Sequence, residues 1–157
     1  MIRPASAADA EALAALWNPW IRDTAITFNA DEKSAADLAA MIASRPCFVV
    51  WVNNGLQGFA TYSQFRGGIG YATCMEHTVI LSPEARGRGI GRALLAAVEA
   101  HARAAGAHQM IAGVSGENPQ GRAFHAAMGY QQIALVREAG FKFGRFMDLV
   151  LMQKFLS

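Results

Sequence analysis

The stretch that most constrains this chain is Arg86-Gly87-Arg88-Gly89-Ile90-Gly91. An apolar run that reads as a strand, Thr78-Val79-Ile80-Leu81, enters it through the turn Ser82-Pro83-Glu84-Ala85. A helical period follows, with Ile90, Leu94, Leu95 and Val98 on one face and Gly106 as its stop. The six residues therefore stand where a strand hands over to a helix N-terminus. Glycine at alternate positions leaves no side chain between the backbone amides and a ligand. The first amides of a helix have no partner inside it, and the helix dipole adds positive potential there. With Arg86, Arg88 and Arg92 alongside, the stretch predicts a pyrophosphate cradle; its bland alternative is a glycine-rich turn with solvated arginines. A P-loop is excluded because no Gly-Lys-Ser/Thr ending is present. A dinucleotide fingerprint is excluded because the spacing is G-x-G-x-G and no acidic residue stands about twenty positions on.

The remaining composition narrows the class. A length of 157 residues predicts one domain, 1–157, with a substantial core. The apolar fraction of 53% argues against disorder, and no apolar run approaches the ~20 residues of a membrane span. Net charge is +2 with basic residues scattered, so no nucleic-acid footprint is expected. Met1-Ile2-Arg3-Pro4 lacks a signal-peptide core, and the two cysteines, Cys47 and Cys74, read as reduced core residues of a cytoplasmic protein. The four histidines have no ligand spacing, so no metal is expected.

Taken in order, Ile2–Pro4 reads as a strand. Ser6 and Asp9 then cap a helix through Leu13, Leu16 and Trp17 that Asn18-Pro19 should end. Trp20 to Phe28 shows no clean period, and its aromatic residues either line a pocket or cap the core. Ser34 and Asp37 cap a second helix, which stops before Pro46. Cys47–Val52 and Leu56–Phe65 are strands about the turn Asn53-Asn54-Gly55; a loop over 66–70 leads to a long strand, Tyr71–Leu81. Gln109–Val114 is a strand, and Asn118-Pro119 opens a helix that closes at Gly129. Strands Tyr130–Arg137 and Phe146–Lys154 finish the chain, joined by a loop over 139–145. This order predicts an α/β (α+β) mixed sheet with helices on both faces.

The spacing Arg-x-x-Gly-x-Gly resembles the coenzyme A motif of the GNAT acetyltransferases. A coenzyme A thioester that acylates an amine needs an anchored pyrophosphate and partners for the amides of its pantetheine arm. The open edge of Thr78, Val79 and Ile80 can supply the second as an added strand would. It also needs a general base, because an α-amino group with pKa ~8 is mostly protonated at neutral pH. Glu76, two residues before the apolar run in a charge-poor segment, is the candidate, and partial desolvation would raise its pKa. Its alternative is an ion pair with Arg66 across the sheet. His77, one residue on, should face the other side of the sheet. His125, on the last helix, is either an acid for the departing thiolate or a packing residue. Asn118 is an N-cap, with or without a cofactor contact.

The resemblance extends to the phosphinothricin/methionine sulfoximine N-acetyltransferase group of that superfamily. It runs through Ile21-Arg22-Asp23-Thr24 with Thr27-Phe28, Glu76-His77-Thr78-Val79, the cradle, Glu117-Asn118-Pro119, His125 to Tyr130, and Gly140-Phe141-Lys142-Phe143-Gly144 with Asp148. It implies a mostly antiparallel sheet splayed at the cofactor site, with acetyl-CoA between Tyr71–Leu81 and Gln109–Val114 and its phosphates on Arg86, Gly87, Arg88, Gly89, Ile90 and Gly91. It implies Glu76 as base, with His125 where many members carry a tyrosine acid. It implies small zwitterionic amino-acid substrates, met by Phe65 and Arg66 as the carboxylate site and bordered by Met75, Glu76 and His77. It also implies a homodimer. The loop Gln64 to Gly70 looks shorter than in many relatives, which leaves the side-chain pocket open.

Overall fold

The computed structural model describes residues 1–157. In chain order the elements are β1 (Ile2–Pro4), α1 (Ala10–Asp23), α2 (Ala35–Ser44), β2 (Cys47–Val52), β3 (Leu56–Gln64), β4 (Cys74–Leu81), α3 (Ile90–Ala104), β5 (Gln109–Ser115), α4 (Pro119–Ala127), β6 (Gln131–Lys142) and β7 (Arg145–Phe155). The seven strands make one sheet, β1-β2-β3-β4-β5-β7-β6. Every neighbouring pair is antiparallel except β4 and β5.

That one parallel pair creates the opening in the molecule. It holds register only over Cys74–Glu76 against Gln109–Ile111. Beyond it β4 stays with β3 as far as Leu81, and β5 stays with β7 as far as Ser115. The two strands therefore diverge, and each shows an unpaired backbone edge to the other. This is the expected splay.

Side-chain alternation along β4 decides what each face carries. Met75, Val79 and Leu81 pack on the core under α3, whose Leu94, Leu95, Val98 and Ala102 are fully buried. Ile80 packs on the opposite core, where Leu13, Trp17 and Ile21 of α1 and Leu38 of α2 meet Phe48, Val50 and Phe59. Helices thus cover both faces. Each fully buried leucine here is worth ~1.5–3 kcal/mol of burial. No helix is long and apolar enough to cross a membrane.

Three boundaries differ from expectation. Helix α1 does not stop at Asn18-Pro19 but runs to Asp23. Burial of Trp17 and Ile21 on either side of the proline outweighs the lost amide, which costs ~3 kcal/mol in isolation. The Asn18 side chain bonds both the N–H and the C=O of Lys33, at 2.8 and 2.9 Å, and so ties the helix to the segment before α2. Strand β4 begins at Cys74 rather than Tyr71, because Ile69–Tyr71 forms a 3₁₀ turn after Gly68 at φ 106°. Finally, the 139–145 loop is not a loop. Strand β6 continues to Lys142 through an irregularity between Val136 and Gly140. A tight hairpin then turns at Phe143-Gly144, both at positive φ (54° and 71°).

Candidate active site

Arg86 to Gly91 stands between the end of β4 and the start of α3. Gly87 and Gly89 take left-handed φ values of 73° and 78°, and a Cβ at either would meet nothing within 4 Å. Helix α3 starts at Ile90, and the first amide to find an acceptor is Ala93, bonded to Gly89 O at 3.1 Å. The six amides from Gly87 to Arg92 donate to no group of the protein. Arg88 and Arg92 are exposed and unengaged. Arg86 lies 4.7 Å over the Trp20 ring and bonds Gln120 Oε1 at 3.3 Å. Gly91 serves packing: a Cβ there would sit 3.3 Å from both Leu81 and Phe124. A row of unpaired amides, open space and unneutralised guanidinium groups fits a pyrophosphate.

From the cradle a cleft of about 270 Å³ runs along the free edge of β4, lined by Trp20, Val79, Leu81, Phe124 and others. A second cavity of about 250 Å³ adjoins it on the side of Trp17, Thr27, Phe28, Thr78, Gly113 and Leu149. Ile26, Val79, Ile80, Asn118 and His125 line both. Asn118 caps α4, its Oδ1 accepting from Gly121 N–H at 2.9 Å, and it also borders the cleft. Trp20, on the part of α1 that the proline hid from sequence reasoning, donates Nε1–H to Leu81 O at 3.0 Å and forms the cleft wall.

Glu76 stands at the root of the splay, on the α1/α2 face. It is half-buried, and its Oε2 occupies the space that a Cβ at Gly113 would need, 3.0 Å away. Burial pushes its carboxyl up, and the positive charge of Arg45 pulls it partly back. Arg45 is held by Ser63 Oγ at 2.9 Å, and Ser63 is the cross-strand partner of Glu76. The cation acting on Glu76 is therefore Arg45, not Arg66. Arg66 is exposed on its loop, 5.7 Å over the Tyr71 ring, and lines neither cavity. Phe65 lines neither cavity, and Met75 packs against the α3 core. Of the residues expected at the substrate, His77 lines the second cavity, and Glu76 lines neither but packs its Oε2 against Gly113, which does line it. Met75 packs into the core under α3, and the loop leaves Arg66 outside.

His77 is buried on the α3 side, stacked on His125 with ring centroids 5.0 Å apart, and both rings meet Tyr130 edge-on. Their protonation follows from their partners. His125 Nδ1 lies 2.7 Å from Gly121 O, which can only accept, so Nδ1 carries the proton. Its Nε2 then accepts from His77 Nε2–H at 3.2 Å, and the buried His77 Nδ1 has no partner. Burial, with the neighbouring His125, holds His77 down at about 3, and burial likewise lowers His125. Both rings are neutral at physiological pH, and the one proton on His125 is bound to a helix carbonyl. The geometry argues against His125 as the thiolate's acid. Behind the pair, Tyr130 donates to the buried Glu99 at 2.6 Å, and Lys154 closes an ion pair with Glu99 at 2.7 Å.

Comparisons with known proteins agree with this geometry. The sequence profile of the acetyltransferase (GNAT) family matches residues 11–130. The L-amino acid N-acyltransferase MnaT of Escherichia coli is 34% identical, over 97% of this chain and 91% of that protein. The L-methionine sulfoximine/L-methionine sulfone acetyltransferase of Salmonella typhimurium is 32% identical, over 97% of this chain and 92% of that protein. Among solved structures, a phosphinothricin acetyltransferase from Sinorhizobium meliloti in complex with acetyl-CoA superposes with TM-score 0.94 at 32% identity, covering 100% of this chain and 88% of that one. The fold, the splay and the family match lead to one conclusion: the chain belongs to the GNAT family and is an N-acetyltransferase.

Proposed function

We propose that residues 1–157 form one catalytic domain that transfers the acetyl group of acetyl-CoA to the α-amino group of a small amino-acid analogue. Phosphinothricin, methionine sulfoximine and methionine sulfone are the expected types, and attack is direct, in a ternary complex. The names of the relatives support the substrate class. The single observation carrying the mechanism is that the cleft from the six unpaired amides along the open edge of β4 shares lining residues with a second cavity, whose Gly113 packs against Glu76.

In this reading the amides of Gly87 to Arg92 hold the pyrophosphate, with Arg86, Arg88 and Arg92 adding charge and Asn118 bordering the arm. The backbone edge of Thr78, Val79 and Ile80 takes up the pantetheine amides, as in strand addition. The cofactor's contribution is an activated acetyl thioester. Glu76, raised by burial, accepts one proton from the substrate ammonium. The freed nitrogen forms the new C–N bond as the C–S bond breaks, and the second nitrogen proton goes to the departing thiolate. A thiol pKa of ~8.5 lets the thiolate leave without a dedicated acid, consistent with the engaged state of His125. His77 and His125 keep the floor of the splay dry and rigid.

The β6–β7 hairpin exposes Phe141, Phe143 and Phe146, each more than half accessible, together with Ile133 and Leu135. Such a patch supports the homodimer expected from the resemblance. The free thiols Cys47 and Cys74 are in keeping with a cytoplasmic setting.

The test is thiol release from acetyl-CoA over a panel of methionine sulfoximine, phosphinothricin, spermidine and a short peptide. Release with the first two is expected. Release confined to spermidine or peptide would overturn the substrate class. Tight acetyl-CoA binding with no release on any member would leave only a binding module.

A further inference from the structure

Lys142, at the end of β6, is only 5% exposed and makes no ion pair; Asp23 acts on its ammonium only from a distance, and the ammonium lies 5.2 Å over the Phe143 ring. Its Nζ donates instead to two backbone carbonyls of a distant segment, Thr24 O at 2.6 Å and Thr27 O at 2.7 Å. Thr24 is the C-cap of α1, so the ammonium also sits at the negative end of that helix dipole. Two residues earlier, on the same face of β6, Gly140 supports the Phe28 ring on bare backbone. A Cβ there would fall 2.5 Å from the ring. The gripped segment has no regular structure of its own. Its internal restraints are Thr24 Oγ1, which donates to Trp20 O at 2.6 Å and accepts from Ile26 N–H at 3.3 Å. Yet Ile26 lines both cavities, and Thr27 and Phe28 line the one on the Glu76 side.

We propose that Lys142 and Gly140 form a clamp by which the C-terminal hairpin holds Thr24–Phe28 as the wall of the acceptor side of the site. Lys142 is then a positioning residue for the amine substrate, although it touches neither substrate nor cofactor. This rests on the reading that the acceptor enters the second cavity. A buried cation without a direct ion pair is costly and persists where its donors are satisfied. Here the two carbonyls satisfy it, and releasing them frees the wall. The amides of Gly87 to Arg92 and the edge of β4 lie on other elements, and Ile26 is the one residue of the gripped segment that also lines the cofactor cleft.

The test uses the full chain with Lys142→Met, which keeps the stem and removes the ammonium. The expected result is about a tenfold rise in KM for methionine sulfoximine, a smaller change in kcat, and acetyl-CoA affinity within about twofold of wild type. The NMR order parameter of the Ile26 δ1 methyl should fall clearly, because the wall is no longer held on the ps–ns timescale. An unchanged order parameter overturns the clamp, and so does equal weakening of both ligands. If Lys142→Met does not fold, Gly140→Ala carries the question: it displaces Phe28 with the cation in place, and an unchanged KM refutes the proposal. Should the wild-type protein release no thiol with methionine sulfoximine, the functional reading fails, while the methyl measurement still decides the clamp.

Discussion

Glu76 and His77 are neighbours on one strand, yet the same desolvation sends them to opposite ends. Burial raises the carboxyl of Glu76, because the form it penalises is the anion. Burial lowers His77 to about 3, because there it penalises the cation. What surrounds each residue completes the difference. Glu76 is half-buried with its Oε2 packed over the bare backbone of Gly113, and the charge of Arg45 offsets part of the effect of burial. His77 faces aromatic rings and a second neutral histidine, so it stays uncharged. Alternation in a strand thus separates a titrating group from an inert one across a single peptide bond.

Three perturbations bear on that contrast. The largest effect is expected from Glu76→Gln, which keeps the shape and removes the carboxylate proposed as base. The kcat should fall by about 10²–10⁴ with acetyl-CoA affinity little changed, as read by steady-state kinetics and calorimetry. Turnover close to wild type across pH 6–9 would take the base role away from Glu76. Next is His77→Phe. The folded pKa of His77 lies below its unfolded value, so its stability contribution is present above about pH 6.5 and is lost as pH falls toward 3. In that window it should tilt the unfolding free energy by about 1.4 kcal/mol per pH unit. Glu76, with a raised folded pKa, tilts it the other way, its favourable share being lost as pH rises. Denaturant titrations at pH 4.5 and pH 7 should therefore show less acid sensitivity in His77→Phe than in wild type. Equal sensitivity would mean that the ring is hydrated.

The smallest effect is expected from Arg45→Met. Without the guanidinium the Glu76 carboxyl rises further, so the acid limb of kcat/KM moves to higher pH. A loss of a few-fold near pH 6 should vanish at pH 9, and a pH-independent loss would instead mark Arg45 as structural.

Much of this site was legible in the chain because its parts are local. The cradle is a glycine spacing at a strand-to-helix junction, and its amides are free because every helix begins with unpaired donors. The opposite faces of Glu76 and His77 follow from strand period, and the caps at Ser34 and Asn118 from side chains that reach only three residues. The parts that escaped depend on residues far apart in sequence. Helix α1 passes through Pro19 because of what Trp17 and Ile21 bury, and only that packing decides that Trp20 walls the cleft rather than capping the core. An ion pair of Glu76 with Arg66 is one of the two readings the sequence leaves open, but a tight loop carries Arg66 away and Arg45 of the α2 terminus arrives instead.

The amino-acid order by itself determined the fold class, the run of unpaired amides at the start of α3 and the placement of a carboxylate beside an open strand edge. These rest on backbone preferences and side-chain periods within a few residues. Tertiary structure alone decided how far β4 and β5 stay paired, which cation tempers Glu76, how the two histidines share their protons, and that Lys142 grips a segment 115 residues away. Those outcomes depend on which surfaces meet when the sheet closes, and no local pattern encodes that meeting.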